Sequence, residues 1–404
     1  MSWRPTVAYV CADPGIPVFG TKGASVHIQE IVRAWRHRGA HVEVFCVRRG
    51  DAVPQDLADL PVHVVTVGGK GMEPAEREQA QRAAADRLAE LVLELGPDVV
   101  YERYSLFSQV LATTAGALGV PGILEVNAPL IDEQRTHRVL VDEAGAASAL
   151  LHQLGAADVV ACVSEPVAAW VRDRIPAAAQ GPTAPTVTVV PNGVNTDRVR
   201  PVTPAEGTPV VVFVGTLKPW HGVEHLLEAQ RLATRPWRLR IIGDGPQREA
   251  VEALVAGHDL DVELVGAVVP QDVPAALEGA RVAVAPYPDS GDHYFSPLKV
   301  YEYAAAALPT VASRIGQIPA VVRDGVTGLL VPPSDPAALA AAVDALVADP
   351  ARAARLGAAA RELMVARHSW DQVLEATVCG IPGDRIPAPE VGARPRSAAL
   401  TEVG

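Results

Sequence analysis

The sequence VAVAPYPDSGDHYFSPLKVYE, residues 282–302, decides the fold, because it passes from an apolar run through a polar loop into a helical pattern. Its first four residues are small and apolar, as in a parallel strand that is buried on both faces. Pro297 stands near the first turn of the following helix, where a missing backbone N–H costs nothing. A strand, a glycine-containing loop and a helix N-terminus in this order predict one βα unit of an α/β protein.

The same stretch carries groups that could hold an anion. The free N–H groups and the positive dipole end of a helix attract a phosphate or a diphosphate. Lys299 adds a positive charge there, and Glu302, one turn further on, offers two acceptors for the hydroxyls of a ribose. The alternative is an ordinary loop with a solvated lysine, and this stretch alone leaves both interpretations open.

Lysine is rare in this chain, and its positions are informative. Of 35 lysines and arginines, only Lys22, Lys70, Lys218 and Lys299 are lysines. Three of them lie in loops that lead from a strand into a helix, where a compact ammonium group can meet a phosphate. No helix follows Lys70 at once, so we expect that lysine at the surface.

Composition bounds the class of protein. A length of 404 residues favours two domains, and an apolar content of 49% is enough for sizeable cores. The net charge of −12 and the lack of a long basic tract argue against nucleic-acid binding. The four scattered cysteines form no Cys-x-x-Cys pair, and there is neither a signal segment nor an apolar run of about 20 residues. These features predict a cytoplasmic protein without a transmembrane segment.

Strand-like and helix-like patterns alternate along the chain in two series. The first series runs from the apolar run 7–12 to an Asn-Gly turn at 192–193, and the second begins at the apolar run 210–215. The helices predicted in the first series are 24–38, with a buried stripe of Ile28, Ile31, Val32 and Trp35, then 74–95, 106–118, a helical region at 132–154, and a helix capped by Ser164 that runs to Arg174. The predicted fold class is therefore α/β, with two doubly wound Rossmann-like domains. We place the N-terminal domain at 1–200, the C-terminal domain at 201–368, a last helix at 369–378 and a flexible tail at 379–404.

Several segments resemble one family of enzymes. They are VVFVGTLKPWHG at 211–222, VPNGVN at 190–195, SPLKVYE at 296–302, GDGP at 243–246 and DGVTGLLV at 324–331. Together they resemble the retaining glycosyltransferases of family 4 (glycosyl transferases group 1), which have the GT-B fold, over residues 5–378. The resemblance implies that the two domains face a cleft, that the C-terminal domain binds the nucleotide-sugar and the N-terminal one the acceptor, and that helix 369–378 crosses back to the N-terminal domain.

The resemblance also implies roles for particular residues. Glu302 would hold the ribose hydroxyls, while Lys218 and Lys299, with the amide of Leu298, would hold the diphosphate. The catalytic candidates are Lys218, Lys299, Asn127 and His27. The further donor-binding candidates are Gly23 and Ala24 of the 20–25 loop, Gly215, Thr216, His221, Gly243, Ser296, and Val268 near the base.

Some positions depart from the family pattern. Tyr294 stands where relatives usually carry the first of two glutamates eight positions apart, which leaves the identity of the donor sugar open. Thr216 and His221 stand where many relatives have arginine and lysine, so we expect Lys218 to take over phosphate binding. Asn127 stands where relatives often place a histidine near the transferred sugar, and an amide can bond to a hydroxyl but cannot act as an acid or base.

The predicted function is a retaining, metal-independent glycosyltransferase of hexosyltransferase type. It would move a sugar from a UDP- or GDP-linked donor to a hydroxyl of a sugar alcohol, glycoside or natural product, without a further cofactor. Lysines and helix N-termini would stabilise the negative charge that accumulates on the departing diphosphate. Two alternatives stay open: a GT-B nucleotide-sugar epimerase, which needs no acceptor, and a non-catalytic bilobal sugar-binding protein.

Three further patterns allow a plainer interpretation. His27, in the first turn after the 20–23 loop, either serves the cleft or is a packed or surface histidine. The sequence Asp-Leu-Asp at 259–261 spells a metal motif of another glycosyltransferase class, but its place before a strand favours a solvated turn. Arg33, Arg36 and Arg38 on helix 24–38 either meet an anionic membrane or form a solvated face.

Overall fold

The computed structural model of this chain describes residues 4–69, 71–176, 184–289, 293–381 and 385–386. The chain forms two compact units, one of residues 1–190 and 373–404 and the other of residues 191–372. We refer to them as the first unit and the second unit. Lys70, most of the loop at 176–185, the segment 290–292 and the tail beyond residue 386 lie outside the described residues.

A parallel sheet of seven strands forms the centre of the first unit. The strands are β1 (Thr6–Cys11), β2 (His41–Cys46), β3 (Val62–Val64), β4 (Val99–Arg103), β5 (Gly122–Val126), β6 (Val159–Cys162) and β7 (Thr186–Val189). The helices are α1 (Gly23–His37), α2 (Pro74–Leu95), α3 (Val110–Leu118), α4 (Leu130–His137), α5 (Glu143–Ala156) and α6 (Glu165–Arg172). The strand order is β3-β2-β1-β4-β5-β6-β7, so the direction of winding reverses between β1 and β4.

The apolar pattern of the sequence explains how these elements pack. Helix α1 buries the predicted stripe of Ile28, Ile31, Val32 and Trp35 completely. Helix α6 begins where the sequence predicts, because the Ser164 hydroxyl accepts a hydrogen bond from the backbone N–H of Val167 at 3.3 Å. The central strands β1, β4 and β5 are buried along most of their length, as expected for a parallel sheet that helices cover on both faces.

Two helical predictions in the first unit need correction. The helix expected from residue 106 begins only at Val110, because Phe107 has a φ of 66°, which no α-helix accommodates. The helical region expected over 132–154 is two helices. Arg138 is extended and ends α4, and the carboxylate of Asp142 starts α5 by accepting a hydrogen bond from the N–H of Gly145 at 2.8 Å.

The second unit has a parallel sheet of six strands. They are β8 (Val210–Val214), β9 (Arg238–Ile242), β10 (Val262–Gly266), β11 (Ala280–Ala285), β12 (Thr310–Ser313) and β13 (Gly328–Val331). The helices are α7 (Val223–Leu232), α8 (Arg248–Gly257), α9 (Val273–Ala276), α10 (Leu298–Ala305), α11 (Ile318–Val321), α12 (Pro336–Ala348), α13 (Pro350–Arg367) and α14 (Trp370–Val378), of which α14 belongs to the first unit from Val373 onward. The strand order is β10-β9-β8-β11-β12-β13, so the winding reverses between β8 and β11.

Apolar clusters cover both faces of the second sheet. Along β8, Val212 belongs to one cluster, which also contains residues of α10, while Val211 and Phe213 belong to the other, which contains residues of α7 and α12. Alternate residues of a strand point to opposite faces, and here both sets are apolar. The strands therefore leave only their ends free for polar chemistry.

The described residues that follow α14 are packed. Ile381 and Ile386 are buried, and the guanidinium of Arg385 pairs with the carboxylate of Asp158, all within the first unit. Among the described helices, none combines the length and the apolar character needed to cross a bilayer.

Candidate active site

The reversal of winding in the second sheet places two loops beside each other, at the carboxyl ends of β8 and β11. Open α/β sheets bind ligands at such points. The loops approach through their backbones at Gly222, which has a φ of 63°. A Cβ atom at this position would lie 2.0 Å from the carbonyl oxygen of Pro286, so only glycine permits this approach. The two loops are the ones in which the sequence placed Lys218 and Lys299.

Lys299 lies in the first turn of α10 and is buried, with 9% of its surface exposed. Its Nζ atom lies 4.2 Å from the ring centre of Phe213 and 5.3 Å from that of Tyr287. Within the described part of the chain this nitrogen has no hydrogen-bond partner. Burial lowers the pKa of the Lys299 ammonium to about 7, and the carboxylate of Glu302 opposes that shift only in part.

His221 faces the same place from the loop after β8, but it does not act as a cation there. Its Nδ1 atom lies 2.5 Å from the carbonyl oxygen of Thr216. A carbonyl oxygen only accepts hydrogen bonds, so Nδ1 carries the proton and Nε2 is left as an acceptor. Burial and the charge of Lys299 lower the pKa of His221 to about 4, so the imidazole is neutral at pH 7. His221 therefore cannot supply the charge of the lysine that many relatives carry here.

Lys218 precedes a short 3-10 helix at Pro219–His221 and is half-buried. Its Nζ atom lies 4.4 Å from the ring centre of Trp220, and that indole is 51% exposed. A cation over an aromatic face is held weakly, by about 0.5–1 kcal/mol at an exposed site. Lys218 is thus a charge near the end of β8 that a stronger anionic partner can attract.

The loop before α10 is anchored by an asparagine whose role the sequence did not reveal. The backbone N–H of Asn192 donates to the Ser296 hydroxyl at 3.1 Å, and its side-chain amide donates to the Ser296 carbonyl at 2.8 Å. The Ser296 hydroxyl also lies 3.2 Å from that of Tyr301. These bonds are buried and fix the entry into α10. The Pro-Asn-Gly segment at 191–193 therefore positions the helix that carries Lys299.

The other predicted donor-binding residues of this unit lie around the same strand ends. Glu302 is half-buried one turn after Lys299, and Leu298 is the first residue of α10. Gly243, after β9, packs so closely that a Cβ atom there would lie 1.9 Å from the carbonyl oxygen of Gly215. Val268, after β10, packs half-buried against the core of the unit. The structure thus groups the predicted residues of the second unit at the carboxyl edge of its sheet.

A buried carboxylate organises the candidate residues of the first unit. Glu125, at the end of β5, is 4% exposed. Its Oε2 atom lies 2.8 Å from Nε2 of His27 and accepts a hydrogen bond from the Tyr101 hydroxyl at 2.8 Å. Its Oε1 atom accepts from Nη1 of Arg103 at 2.6 Å and from the side-chain amide of Asn127. His27 and Asn127, predicted separately, therefore meet on one side chain.

The environment of Glu125 keeps it ionised. Burial by itself would raise the pKa of this carboxyl group, but the charges of His27 and Arg103, with the hydrogen bonds from His27 and Tyr101, lower it to about 2. His27 is 6% exposed and is thus a packed histidine with a charged partner. Glu125, Arg103 and Tyr101 were not predicted as site residues. The sequence contains one indication of this cluster: Arg103 and Glu125, which carry opposite charges, stand at the ends of two apolar strands.

The loop at 20–25 leads into α1 at the carboxyl end of β1, which is a reversal point of the first sheet. Helix α1 begins at Gly23, and Lys22 before it is exposed. The side-chain amide of Gln29 donates to the carbonyl oxygens of Val18 at 3.0 Å and of Gly20 at 3.1 Å, which fixes the loop against the helix. Gly23 and Ala24 therefore stand at the helix N-terminus, a place where anions bind, and their donor-binding role stays a prediction.

The patterns with plainer interpretations form ordinary ion pairs. On α1, Arg33 pairs with Asp56 at 2.6 Å and Arg36 with Asp59 at 2.9 Å, and Arg38, directly after the helix, pairs with Glu375. These arginines are thus paired rather than gathered into a free basic surface. Asp261 pairs with Arg238 at 2.9 Å on the exposed edge before β10, as expected of a solvated turn. In the described residues no three His, Cys, Asp or Glu side chains gather as metal ligands would.

Comparison with known proteins identifies both parts of the chain. The sequence profile described as Glycosyltransferase Family 4 matches residues 21–198, and the one described as Glycosyl transferases group 1 matches residues 208–349. A D-inositol 3-phosphate glycosyltransferase of Acidothermus cellulolyticus is 30% identical over 96% of this chain and 90% of its own length. A GDP-mannose-dependent alpha-(1-6)-phosphatidylinositol monomannoside mannosyltransferase of Mycobacterium tuberculosis is 30% identical over 81% of this chain and 92% of its own.

Solved structures share the fold at lower identity. A sucrose-phosphate synthase from Thermosynechococcus elongatus has a TM-score of 0.67 at 22% identity, covering 93% of this chain and 98% of its own. Anabaena HepE in complex with UDP-glucose has a TM-score of 0.67 at 17% identity, with coverage of 93% and 98%. The fold of this chain, with two Rossmann-like α/β units, is the GT-B fold. The chain belongs to glycosyltransferase family 4 of the group 1 glycosyl transferases, as its motifs predicted.

Proposed function

We propose that this glycosyltransferase is a retaining, metal-independent enzyme of hexosyltransferase type whose second unit binds the diphosphate of a UDP- or GDP-linked sugar. One observation carries the proposal. The buried ammonium of Lys299, which has no hydrogen-bond partner among the described residues, lies at the reversal point of the sheet, next to the backbone of Gly215. A buried amine without a partner is costly unless a ligand supplies one.

The neighbouring groups suit a nucleoside diphosphate. The first N–H groups of α10, beginning at Leu298, and the dipole of this helix favour a phosphate. Lys218 stands in the loop after β8, with its Nζ atom over the exposed indole of Trp220. Glu302 offers carboxylate oxygens that would accept hydrogen bonds from ribose hydroxyls. Lys299, the first turn of α10 and Lys218 would hold the two phosphates, and Glu302 would hold the ribose.

The proposed reaction breaks the bond between the anomeric carbon of the donor sugar and the diphosphate oxygen. A bond from an acceptor hydroxyl oxygen to the same carbon forms on the same face, and the hydroxyl proton passes to an oxygen of the departing diphosphate. Charge accumulates on that leaving group in the transition state, where Lys218 and Lys299 would stabilise it. Metal-free catalysis requires such fixed positive groups, because the departing diphosphate gains negative charge that no metal ion offsets.

The first unit would present an acceptor group to a sugar hydroxyl. An ionised carboxylate only accepts hydrogen bonds, so the amide nitrogen of Asn127 faces Glu125. The Oδ1 atom of Asn127 is then directed away from Glu125 and can accept a hydrogen bond from a hydroxyl. We propose a sugar alcohol, glycoside or natural product as the acceptor. The Acidothermus relative, named for inositol phosphate, favours a polyol within this group.

A thermal-shift screen of UDP-, GDP-, ADP- and dTDP-linked sugars tests the proposal first. A ligand that binds the folded state raises its melting temperature, so one nucleotide class should do so. The stabilising donor is then incubated with the protein, with and without polyol and glycoside acceptors, in the presence of a chelator. Slow hydrolysis to free sugar and nucleoside diphosphate without an acceptor, and faster release of the nucleoside diphosphate with formation of a glycoside when an acceptor is added, support a transferase. Isomerisation of the donor sugar would indicate an epimerase, and an intact donor a binding protein.

A further inference from the structure

The surroundings of Lys299 favour the neutral form of its amine. The nitrogen has lost water and has no hydrogen-bond partner in the described part of the chain, while the ring faces of Phe213 and Tyr287 lie against it. Ring faces attract an ammonium group, but less than the water that burial removes. The pKa of Lys299 is accordingly about 7, compared with about 10.4 for a lysine in water.

Among the described residues, the titratable groups around Lys299 do not restore its charge. On its own helix, Glu302 raises the pKa of Lys299, but by less than burial lowers it. From the loop after β8, His221 faces it as a neutral ring, and Lys218 is another base that offers no counter-charge. The two buried phenols nearby are uncharged, because burial raises their pKa: Tyr287 and Tyr303.

We infer that a nucleoside diphosphate enters this site together with a proton, which the amine of Lys299 takes up, so that the lysine becomes a full cation only in the complex. The inference rests on the proposed function. The diphosphate brings the counter-charge and the hydrogen-bond acceptors that the described protein groups do not supply. Solvent supplies the proton, and no covalent bond changes in this step.

This arrangement makes donor affinity depend on pH in a defined direction. Below the pKa of Lys299 in the free protein, the amine is already charged and no proton is needed. Above it, each unit of pH removes about nine tenths of the charged form, so affinity falls about tenfold per unit. Above this pKa, Lys299 is charged only while the diphosphate is bound. When the diphosphate product leaves, the lysine therefore returns its proton to solvent.

Calorimetric titration measures the proton directly. The full-length protein is titrated with UDP and, separately, with GDP in Hepes, Tricine and Tris, whose ionisation enthalpies differ, at pH 7.0 and 8.5. The terminal phosphate of a free nucleotide has a pKa of about 6, so it contributes little at pH 8.5. We expect uptake of about one proton per nucleotide at pH 8.5 and about half a proton at pH 7.0, with an affinity that weakens about tenfold between pH 8 and 9.

Two variants identify the group that takes up the proton. Lys299→Arg keeps a permanent charge, so its nucleotide binding should proceed without proton uptake and with little pH dependence. His258→Asn removes an exposed histidine outside the site and, as the control, should keep the uptake of the unmodified protein. Binding without proton uptake at pH 8.5, or uptake that persists in Lys299→Arg, would overturn the inference while leaving the proposed function intact. Failure of both nucleotides to bind at either pH would overturn the proposed function and the inference with it.

Discussion

The Nζ atom of Lys299 lies 4.2 Å from the ring centre of Phe213, although one residue belongs to α10 and the other to β8. They meet because the winding of the second sheet reverses between β8 and β11, so that the helix after β11 begins beside the end of β8. The ring closes one side of the ammonium and leaves it without hydrogen bonds in the described residues. The first turn of α10 therefore carries a buried amine whose charge can change with pH.

Replacing Lys299 by an apolar residue should stabilise the unliganded protein and abolish nucleotide binding. In Lys299→Met an apolar chain of similar length fills the pocket, and the cost of burying an ammonium disappears. We expect the free energy of unfolding at pH 7 to rise by about 1–3 kcal/mol, while affinity for the nucleoside diphosphate is lost. Urea unfolding of the unliganded protein and a binding titration measure the two effects.

The gain in unfolding free energy from Lys299→Met should also depend on pH. The pKa of Lys299 is lower in the folded than in the unfolded protein, so the unfolded chain binds the extra proton between pH 7 and about 10. Lysine therefore destabilises the folded protein most at pH 7 and below, and less as the pH rises. The advantage of Lys299→Met should shrink between pH 7 and 9. A loss of stability at pH 7 would show that the ammonium has a protein partner.

Glu302→Ala tests the ribose assignment. Removing a carboxylate that accepts hydroxyl hydrogen bonds should weaken nucleotide binding by about 1.5–3 kcal/mol, or about 10- to 150-fold in Kd. The matched probe is the 2′,3′-dideoxy nucleotide, which lacks both hydroxyls. The substitution should have little effect on its Kd, so the double-mutant cycle isolates the contact. Equal losses for both nucleotides would assign Glu302 another role.

Lys218→Ala tests whether this cation serves the leaving group. If its charge acts mainly on the diphosphate as it departs, kcat should fall by tenfold or more while KM changes less. Lys218→Arg keeps the charge and should recover part of kcat. Steady-state kinetics with the donor found in the screen provide the numbers. A rise in KM with normal kcat would make Lys218 a binding group only.

Much of the fold could be predicted from local pattern. Helix α2 matches the predicted range of 74–95, because Pro74 lies in its first turn, Glu73 and Glu76 form a capping box, and Gly96 ends it in a left-handed conformation. The alternation of strands and helices in both units also follows the prediction. The break between α4 and α5 was missed, because the helical period continues across residues 138–142 and only the Asp142 cap interrupts it.

The candidate site was less accessible to sequence reasoning, because it depends on register and burial. Arg103 and Glu125 face each other as paired residues of β4 and β5, a neighbour relationship that no spacing in the sequence encodes. Lys299 lies in the first turn of a helix, as predicted, and its role in the site stays a prediction. Its burial was not predicted, since that follows from the rings of Phe213 and Tyr287. The same burial leaves His221 neutral, although a histidine in a lysine position would otherwise be taken for a cation.

The Glu125 cluster should be a strong determinant of stability in the first unit. Glu125→Ala leaves the buried guanidinium of Arg103 without its carboxylate, which typically costs about 3–5 kcal/mol. Asp261→Ala, which breaks the exposed pair with Arg238, is the matched control and should cost less than about 1 kcal/mol. Chemical denaturation at pH 7 compares the two variants. Similar losses of unfolding free energy in the two variants would mean that the Glu125 cluster contributes little to stability.

The pH profile gives an independent check on Glu125. Its folded pKa of about 2 lies below the unfolded value of about 4.3, so its stabilising contribution is present above that unfolded value. The contribution is lost as the pH falls from about 4.3 towards 2. The difference in unfolding free energy between the unmodified protein and Glu125→Gln should therefore narrow across this range. A constant difference would place the carboxyl in its protonated form throughout.

Metal removal tests the role assigned to the lysines. Transfer should continue in excess EDTA, with kcat/KM within about twofold of the untreated value, because the proposed leaving-group stabilisers are Lys218, Lys299 and the α10 N-terminus. The variants Asp259→Asn and Asp261→Asn should be as active as the unmodified protein, since Asp261 is paired with Arg238 on the surface. Loss of activity in EDTA with recovery on addition of Mg²⁺ or Mn²⁺ would contradict metal independence.

The most direct test is a crystal structure of the protein soaked with the nucleoside diphosphate that stabilises it. We expect the diphosphate within hydrogen-bonding distance of Nζ of Lys299 and of the Leu298 amide, with Lys218 turned towards it and both ribose hydroxyls on Glu302. A nucleotide bound elsewhere, with Lys299 still enclosed only by its aromatic neighbours, would contradict the central claim that this buried lysine marks the donor site.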